Sequence, residues 1–294
     1  MSDETYAYGA DGTRLYVRRR PGGEDGAQVI LSDGVACEGF VWRYLWDELP
    51  SILGPSASPH VAHHHYRGHG RSSAPVDPER LSVVDFARDL DAIRTFLGDP
   101  PRTVLVGHSF GVQVSLEAYR LRPEGIAGLI LICGAPGKVT QTFKNTTVLA
   151  DVLPKVIAWA EQHPAIVRAL WARTPIDLSM KVAYLLGEVD AKSMRPDDFR
   201  PYLEHITHLD PTMFFKILRG AGEHSAEDLL PEIEVPVLVV AAERDTFTPP
   251  ELAVKMAQAI PQGELLMLEG GTHAAPIEQP ERVREAIAAF LRKL

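Results

Sequence analysis

The sequence predicts an α/β protein in which helices cover both faces of a mostly parallel, eight-stranded β-sheet. Short runs of apolar or β-branched residues recur along the 294 residues, with helical periodicity between them. Several of these runs are apolar without alternation, as is typical of parallel strands buried on both faces. The runs are Arg14–Val17, Val29–Leu31, Thr103–Val106, Gly128–Ile132, Val235–Val240 and Leu265–Leu268.

Two helices are predicted beside these strands. Apolar residues step by three and four between the second and third runs, after Ser82, a residue type that favours the N-cap position. A second amphipathic pattern follows Gln279 and Pro280 and continues to the end of the chain. The apolar positions are Val83, Phe86, Leu90, Ile93 and Leu97 in the first helix, and Val283, Ile287 and Leu291 in the second.

The strand pattern is interrupted by a helical segment. From about residue 139 to 226, apolar residues recur only at helical spacing, so we expect a core of residues 1–138 and 227–294 with a helical cap of residues 139–226. Because a helix interior tolerates proline poorly, the prolines of this segment predict several short helices. These prolines are Pro154, Pro164, Pro175, Pro196, Pro201 and Pro211.

Composition and charge exclude several classes of function. The chain has 45% hydrophobic and 23% charged residues, as in an ordinary globular domain. Acidic residues outnumber basic ones 39 to 30, which argues against a nucleic-acid partner. The acidic start, Met1–Thr5, does not resemble a secretory leader, and no run approaches the roughly 18 apolar residues of a membrane span. We therefore expect a cytoplasmic protein without a membrane partner, in which Cys37 and Cys133 are free thiols.

The most informative motif is Gly-His-Ser-Phe-Gly at residues 107–111, directly after the run Thr103–Val106. Helical spacing follows in Val112, Leu116 and Tyr119, so strand, turn and helix occur in the order of a nucleophile elbow. In such a turn, a β-carbon at either glycine would clash with nearby backbone. The motif predicts that Ser109 is a nucleophile.

A serine hydroxyl needs a histidine base and an acid that orients the base. After a nucleophile elbow of this kind the acid and then the base follow, each on a loop after a strand. Asp245 follows the run Val235–Val240 and His273 follows Leu265–Leu268, so these are the predicted acid and base. Glu243 and Asp210 remain alternative acids.

With these three residues, the sequence resembles the α/β-hydrolase superfamily, specifically its capped, esterase-like branch, over nearly the whole chain. The matching blocks are Leu31–Val35, His65–Ser72, the elbow, and the Asp245 and His273 loops, the last followed by Glu278–Pro280. The resemblance implies that two backbone N–H groups, those of Val35 and Phe110, form an oxyanion hole. Relatives that open epoxides or displace halide have an aspartate at the position of Ser109, so those activities are not expected.

One residue departs from the family pattern, because Asp33 stands where the family usually has histidine before Gly34. A carboxylate near an oxyanion site is unfavourable unless hydrogen bonds hold it away. The geometry of this loop, and with it the substrate preference, is therefore left open.

Several other residues have competing interpretations. His63, His64, His65 and His69 suggest a metal site, but neighbouring side chains of an extended segment point to opposite faces, so we expect no metal. We expect His108 to have a packing or supporting role and Cys37 to be a small buried residue. One or two aromatic residues are expected to contact substrate. The candidates are Phe40, Trp42, Trp46, Trp159, Trp171, Phe214 and Phe215.

The sequence thus predicts a serine hydrolase that cleaves a carboxylic ester, lactone or thioester of a small to medium, partly apolar substrate through an acyl-serine. No metal or organic cofactor is expected, and the helical segment is expected to form a lid over Ser109. Two alternatives stay open. One is a carbon–carbon bond hydrolase or perhydrolase with the same three residues, and the other is a non-catalytic ligand sensor on the same fold.

Overall fold

The computed structural model describes residues 3–142, 148–185 and 187–294. The first two residues of the acidic N-terminal segment lie outside the described residues, as do residues 143–147 and 186 of the predicted helical cap. None of the helices in the described part is both long and apolar enough to cross a bilayer.

The described residues form one eight-stranded sheet in the order β1-β2-β4-β3-β5-β6-β7-β8. Strand β2 pairs antiparallel with both β1 and β4, and every other neighbouring pair is parallel. The predicted mostly parallel sheet is therefore confirmed. The strands are β1 (Asp3–Tyr8), β2 (Arg14–Arg20), β3 (Gln28–Ser32), β4 (His60–His64), β5 (Thr103–His108), β6 (Ile126–Ile132), β7 (Val237–Ala242) and β8 (Gly263–Leu268).

Helices lie on both faces of the sheet, as predicted. Alternate residues of the central strands face opposite sides: Leu105 packs in one buried cluster with α2, α3 and α10, and Val104 packs in another with α1 and α12. The α-helices are α1 (Arg43–Glu48), α2 (Val83–Phe96), α3 (Phe110–Leu121), α4 (Val139–Thr142), α5 (Val148–Gln162), α6 (Pro164–Trp171), α7 (Ile176–Leu185), α8 (Pro196–His208), α9 (Pro211–Glu223), α10 (Pro250–Ala259), α11 (Ala275–Glu278) and α12 (Pro280–Leu291).

The predicted start of α2 is confirmed. The Ser82 hydroxyl accepts a hydrogen bond from the Asp85 N–H, and the Asp85 carboxylate accepts one from the Ser82 N–H. These two bonds satisfy backbone donors that the first helical turn would otherwise leave free.

The prolines between β6 and β7 are only partly helix boundaries. Pro164, Pro196 and Pro211 each begin a helix, where a missing N–H costs nothing. Pro154 and Pro201 instead lie inside α5 and α8, so the prediction that each proline would interrupt a helix was wrong there. In α8 the carbonyl of Asp197, which Pro201 cannot bond, accepts a hydrogen bond from Arg43 Nη1 at 3.1 Å.

The carboxyl ends of the parallel strands meet at one edge of the sheet. The residues after β3, β5, β7 and β8 all emerge there because these strands run in the same direction. Residues far apart in sequence, from Asp33 to His273, are thereby brought to one place. The helices between β6 and β7 lie above this edge, since residues of α8 and α9 line a cavity together with Ser109 and His273.

Candidate active site

Ser109 lies at a sharp turn between β5 and α3. Its φ of 55° is in the left-handed region, which side-chain-bearing residues rarely adopt, and its N–H donates to the Ile132 carbonyl at 3.0 Å. A β-carbon on Gly107 would lie 2.2 Å from the Gly111 carbonyl oxygen, and one on Gly111 would lie 2.4 Å from that of Ser32. The steric reason for both glycines is therefore confirmed.

The structure brings the three predicted catalytic side chains together. Ser109 Oγ lies 2.9 Å from His273 Nε2, and His273 Nδ1 lies 2.9 Å from Asp245 Oδ2. A carboxylate oxygen only accepts, so Nδ1 carries the imidazole proton and the Nε2 lone pair faces the serine hydroxyl. The arrangement can remove a proton from Ser109.

Asp245 is held by its own loop. Its carboxylate accepts hydrogen bonds at 2.9 Å from the Phe247 N–H, the Thr248 N–H and the Thr248 hydroxyl. The Phe247 ring stacks on the His273 imidazole, with a centroid distance of 4.8 Å. These contacts fix both the direction of the carboxylate and the plane of the imidazole.

The alternative acids have other partners. Glu243 accepts a hydrogen bond from the Gly270 N–H at 2.8 Å. Asp210 caps the N-terminus of α9 through the Met213 N–H and pairs with Arg168. Of the three candidate acids, Asp245 is the one that bonds His273.

Two backbone N–H groups beside Ser109 have no acceptor among the described residues, and they are those of Val35 and Phe110. Both residues line the cavity that contains Ser109. The loop that carries Val35 is close to the serine, because a β-carbon on Gly34 would lie 3.2 Å from Ser109 Cβ. Free N–H groups in this position can stabilise a negatively charged oxygen.

Asp33 does not compete with these donors. Its side chain is buried, and Oδ2 accepts a hydrogen bond from His63 Nε2 at 2.8 Å. Arg18 Nε donates to His63 Nδ1 at 3.0 Å, so the His63 proton must reside on Nε2. Burial raises the pKa of Asp33 to about 7 and lowers that of His63 well below its ordinary value. Asp33 is not among the residues that line the cavity.

The other three histidines of the suggested metal site are also held individually. His64 Nε2 lies 3.1 Å from the Ser32 hydroxyl, His65 Nδ1 accepts from the Arg71 N–H, and His69 Nε2 accepts from the Ala36 N–H. Burial lowers the pKa of each of these three imidazoles, so they are neutral. Within the described residues, no three histidine, cysteine or acidic side chains are grouped as metal ligands.

Two side chains support the His273 loop: His108, for which a packing or supporting role was expected, and Glu278, whose role was not predicted. His108 Nε2 donates to the His273 carbonyl at 2.9 Å, and burial lowers the pKa of His108 to about 3. The Glu278 carboxylate accepts from the Thr272 N–H at 2.8 Å and from its hydroxyl at 2.7 Å, and it also accepts from the Asp190 N–H at 2.7 Å. The signal for Glu278 was its place in the matched block after His273, but its partners are set by the fold.

A cavity of about 410 Å³ opens beside Ser109, between the sheet edge and the helices that follow β6. Two of the seven candidate aromatic residues, Phe40 and Phe214, line it, whereas Trp42 is wholly buried in the core and Trp159 is exposed. Cys37 also lines the cavity, and both Cys37 and Cys133 are free and buried, as predicted. Four further aromatic residues line the cavity: Phe110, Phe199, Tyr202 and Phe247.

The chain is similar to known hydrolases over almost its whole length. RutD of Pseudomonas syringae pv. syringae, a carbamate hydrolase by name, is 28% identical over 278 residues, which are 91% of this chain and 94% of the relative. The (E)-2-((N-methylformamido)methylene)succinate hydrolase of Acinetobacter baylyi is 22% identical over 269 residues, 91% of each chain.

Solved structures show the same fold. A thermophilic esterase from Thermogutta terrifontis matches with a TM-score of 0.75 at 23% identity, over 99% of this chain and 98% of the other. An enol-lactonase from Burkholderia xenovorans LB400 matches with a TM-score of 0.74 at 20% identity, over 98% and 100%. A family model described as the alpha/beta hydrolase fold matches residues 42–280, which is most of the chain. The chain therefore belongs to the α/β-hydrolase family and is a hydrolase of that fold.

Proposed function

We propose that this hydrolase cleaves carboxylic esters of small to medium, partly apolar substrates through an acyl-serine intermediate. The observation that carries the proposal is the continuous hydrogen-bonded line from Ser109 Oγ through the His273 imidazole to Asp245, with 2.9 Å at each step. In the proposed roles, Ser109 is the nucleophile, His273 the general base and Asp245 the acid that orients it.

In the first half of the reaction, Ser109 Oγ attacks the ester carbonyl carbon while His273 Nε2 takes the hydroxyl proton. Negative charge develops on the carbonyl oxygen, and the Val35 and Phe110 N–H groups donate to it. Each such donor is worth about 3 kcal/mol of transition-state stabilisation. The imidazolium then gives its proton to the leaving alkoxide, so an alcohol departs and the acyl group stays on Ser109.

In the second half, a water molecule attacks the acyl carbon and His273 Nε2 takes its proton. The carbon–oxygen bond to Ser109 breaks, the imidazolium returns the proton to Ser109 Oγ, and a carboxylic acid leaves. Throughout, the Nδ1 proton remains on the imidazole and is bonded to Asp245. The residues named require no metal or organic cofactor.

The substrate class follows from the lining of the cavity. Among the described lining residues, Glu188 alone carries a formally charged side chain, and no lysine or arginine is present to pair with an anion. The succinate named as the substrate of the Acinetobacter relative carries two carboxylates, and the described lining of this cavity offers no lysine or arginine that could pair with them. We therefore propose an uncharged ester whose acyl part is mainly apolar.

The helical cap is part of the same proposal. Residues 139–226 would form a lid, with residues 1–138 and 227–294 as the core. The composition of the cavity wall supports this division. Helices α8 and α9 supply Phe199, Tyr202, Phe214 and Ile217, whereas Ser109 and His273 come from the sheet edge. Such a cap would exclude water from the acyl-serine and limit the size of the substrate.

The alternative of a non-catalytic sensor depended on Asp33. Its carboxylate bonds His63 and does not line the cavity, so it gives no reason to doubt the two N–H donors. We therefore favour catalysis.

Burst kinetics with 4-nitrophenyl butanoate would test the proposal. We expect a burst of nitrophenolate equal to one per active site, and a loss of about 10⁴-fold in kcat/KM in Ser109→Ala. Ser115→Ala is the matched control, since Ser115 lies in the helix that follows Ser109, is buried and does not line the cavity. An unchanged rate in Ser109→Ala would refute the assignment, and a panel of lactones, thioesters and carbon–carbon substrates would define the bond cleaved.

A further inference from the structure

A charged side chain in the cavity wall is not used by the proposed mechanism. Glu188 follows the end of α7, is only partly buried, and lines the cavity beside Val189 and Phe247. Its carboxylate accepts a hydrogen bond from the Thr246 hydroxyl at 3.1 Å. The two oxygens of a carboxylate offer roughly four acceptor positions, so a donor on a ligand can bind beside that of Thr246.

The backbone around Glu188 is fixed on both sides. The Glu188 N–H donates to the Ala183 carbonyl in α7 at 3.0 Å. The Asp190 N–H donates to the Glu278 carboxylate at 2.7 Å, and the Asp190 carboxylate pairs with Arg244 at 3.1 Å. Because Glu278 and Arg244 belong to the loops at the sheet edge, these bonds hold Glu188 at a defined position relative to that edge.

Glu188 lies on the His273 side of the cavity. Its partner Thr246 stands between Asp245 and Phe247 in the loop after β7. The Phe247 ring stacks on the His273 imidazole. In the proposed reaction, this imidazole gives its proton to the leaving alkoxide, so the alcohol part of the ester must lie next to it. The alcohol part is therefore the part of the substrate that comes close to Glu188.

We propose that Glu188 is a specificity-determining residue, whose carboxylate binds a hydroxyl group on the alcohol part of the ester. The inference rests on the proposed ester hydrolysis and narrows its substrates to monoesters of diols or polyols. An alcohol part without a donor would remove water from the carboxylate and offer it no partner. A hydroxyl group would instead donate a charge-assisted hydrogen bond. A second carboxylate at this position would be repelled.

The monobutanoates of 1,2-ethanediol, 1,3-propanediol and 1,4-butanediol test the inference, with hydrolysis followed by pH-stat titration. Their methyl ethers keep the oxygen atom but lack the donor, and propyl, butyl and pentyl butanoate match the diol esters in size. We expect one diol ester to exceed both of its controls by roughly 10- to 100-fold in kcat/KM. In Glu188→Met, which removes the acceptor at similar volume, this preference is expected to disappear.

A charged alcohol part reads the same position independently. The butanoate ester of 4-hydroxybutanoate carries a carboxylate on its alcohol part. We expect it to be a poor substrate of the wild type and to improve roughly 10-fold in kcat/KM in Glu188→Met, because the repulsion is removed. Glu285→Met is the matched control, since it removes one negative charge from the exposed surface of α12 and does not line the cavity. Both preferences are expected to stay unchanged in this variant.

Equal kcat/KM values for the diol esters and their controls, or a preference that persists in Glu188→Met, would overturn the inference. An unchanged rate for the charged ester in Glu188→Met would overturn it as well. Should Glu188→Met not fold, the comparison of diol esters with their controls on the wild-type protein still decides the question.

Binding to Ser109→Ala, measured by calorimetry with the same esters, separates the inference from the proposed reaction. If the wild type hydrolyses no ester but Ser109→Ala binds one diol ester more tightly than its methyl ether, the proposed reaction fails while the role of Glu188 stands. Equal binding of every diol ester and its methyl ether would overturn the role of Glu188.

Discussion

The two regions that enclose the cavity are held in different ways. At the sheet edge, β3 pairs with β5 in parallel, and the backbone at Gly107 and Gly111 approaches too closely for any side chain. The helices between β6 and β7 are instead held by side chains from distant parts of the sequence. Tyr44 and Arg43 bond Asp198 of α8, and Glu278 bonds the Asp190 N–H.

This difference separates chemistry from specificity. The groups proposed to react are attached to strand ends, where backbone pairing fixes their position. The helices supply most of the apolar wall, and several of their large apolar side chains are exposed. These are Val148, Val152, Trp159, Ile166, Leu170, Leu178, Val182 and Leu185. We therefore expect substitutions at the sheet edge to affect the chemistry, and substitutions in the helices to affect specificity.

The largest expected effect is acid unfolding, which originates at the sheet. Burial lowers the pKa of His64 and His108 to about 3, and it also lowers the pKa of His63 and His69. These imidazoles stay neutral in the native state but bind protons when the chain unfolds. Their contribution to the free energy of unfolding is therefore complete above pH 6.5 and is lost as the pH falls. Each costs about 1.4 kcal/mol of unfolding free energy per pH unit between its unfolded pKa and its lower native pKa.

Asp33 acts in the opposite direction, because its raised pKa of about 7 reduces stability as pH rises from about 4 to 7. The four histidines outweigh one aspartate, so the free energy of unfolding is expected to fall from pH 6.5 to 4.5. Urea unfolding at each pH would measure this, and His64→Gln should lower the slope by one proton. A profile that is flat over this range would contradict the account.

Next in size is the steric requirement at the elbow. In Gly107→Ala the new β-carbon would meet the Gly111 carbonyl oxygen at 2.2 Å, and we expect a loss of about 3 kcal/mol in unfolding free energy. Gly187→Ala in the helical region is the matched control. Its β-carbon would meet nothing within 4 Å, so only the cost of its φ of 70°, about 1 kcal/mol, is expected. Equal losses in chemical unfolding would remove the distinction between the regions.

Glu278 connects the two regions, since its carboxylate bonds both the His273 loop and Asp190. Glu278→Gln turns an amide NH₂ toward these donors. We expect the free energy of unfolding to fall by about 2 kcal/mol and kcat/KM to fall roughly 10-fold. Glu281→Gln, on the exposed surface of α12, should change neither quantity. Full activity in Glu278→Gln would show that the His273 loop does not need this support.

The smallest effect is expected at a single contact of α8. Tyr44→Phe removes a 2.7 Å hydrogen bond to Asp198, but the carboxylate keeps its pairing with Arg43. We expect the free energy of unfolding, measured by thermal unfolding, to fall by about 1 kcal/mol. Tyr8→Phe, at an exposed edge strand, is the control. A loss above about 3 kcal/mol would mean that α8 depends on this one bond.

What could be predicted from sequence follows the same division. The buried strands β5 and β7 are marked by apolar runs, and Ser109, Asp245 and His273 by their places after strand ends. Strands β1 and β4 were missed, because β1 is an exposed edge and β4 contains three histidines.

His63 and His64 of β4 look polar in sequence but form hydrogen bonds to partners about thirty residues away, Asp33 and Ser32. The same limit applies to Gln113 and Glu278, whose partners come from α9 and from the loop before α8. Local patterns do not contain such contacts, so only a small part of the cavity wall, such as Phe40 and Phe214, could be predicted.

The central claim is that the His273 imidazole makes one hydroxyl of this chain reactive. Labelling the wild-type protein with a fluorophosphonate, followed by mass mapping of peptides, tests it most directly. The account predicts a single adduct on Ser109 that forms far more slowly in His273→Ala. No adduct, or an adduct on another residue while Ser109 stays unmodified, would contradict it.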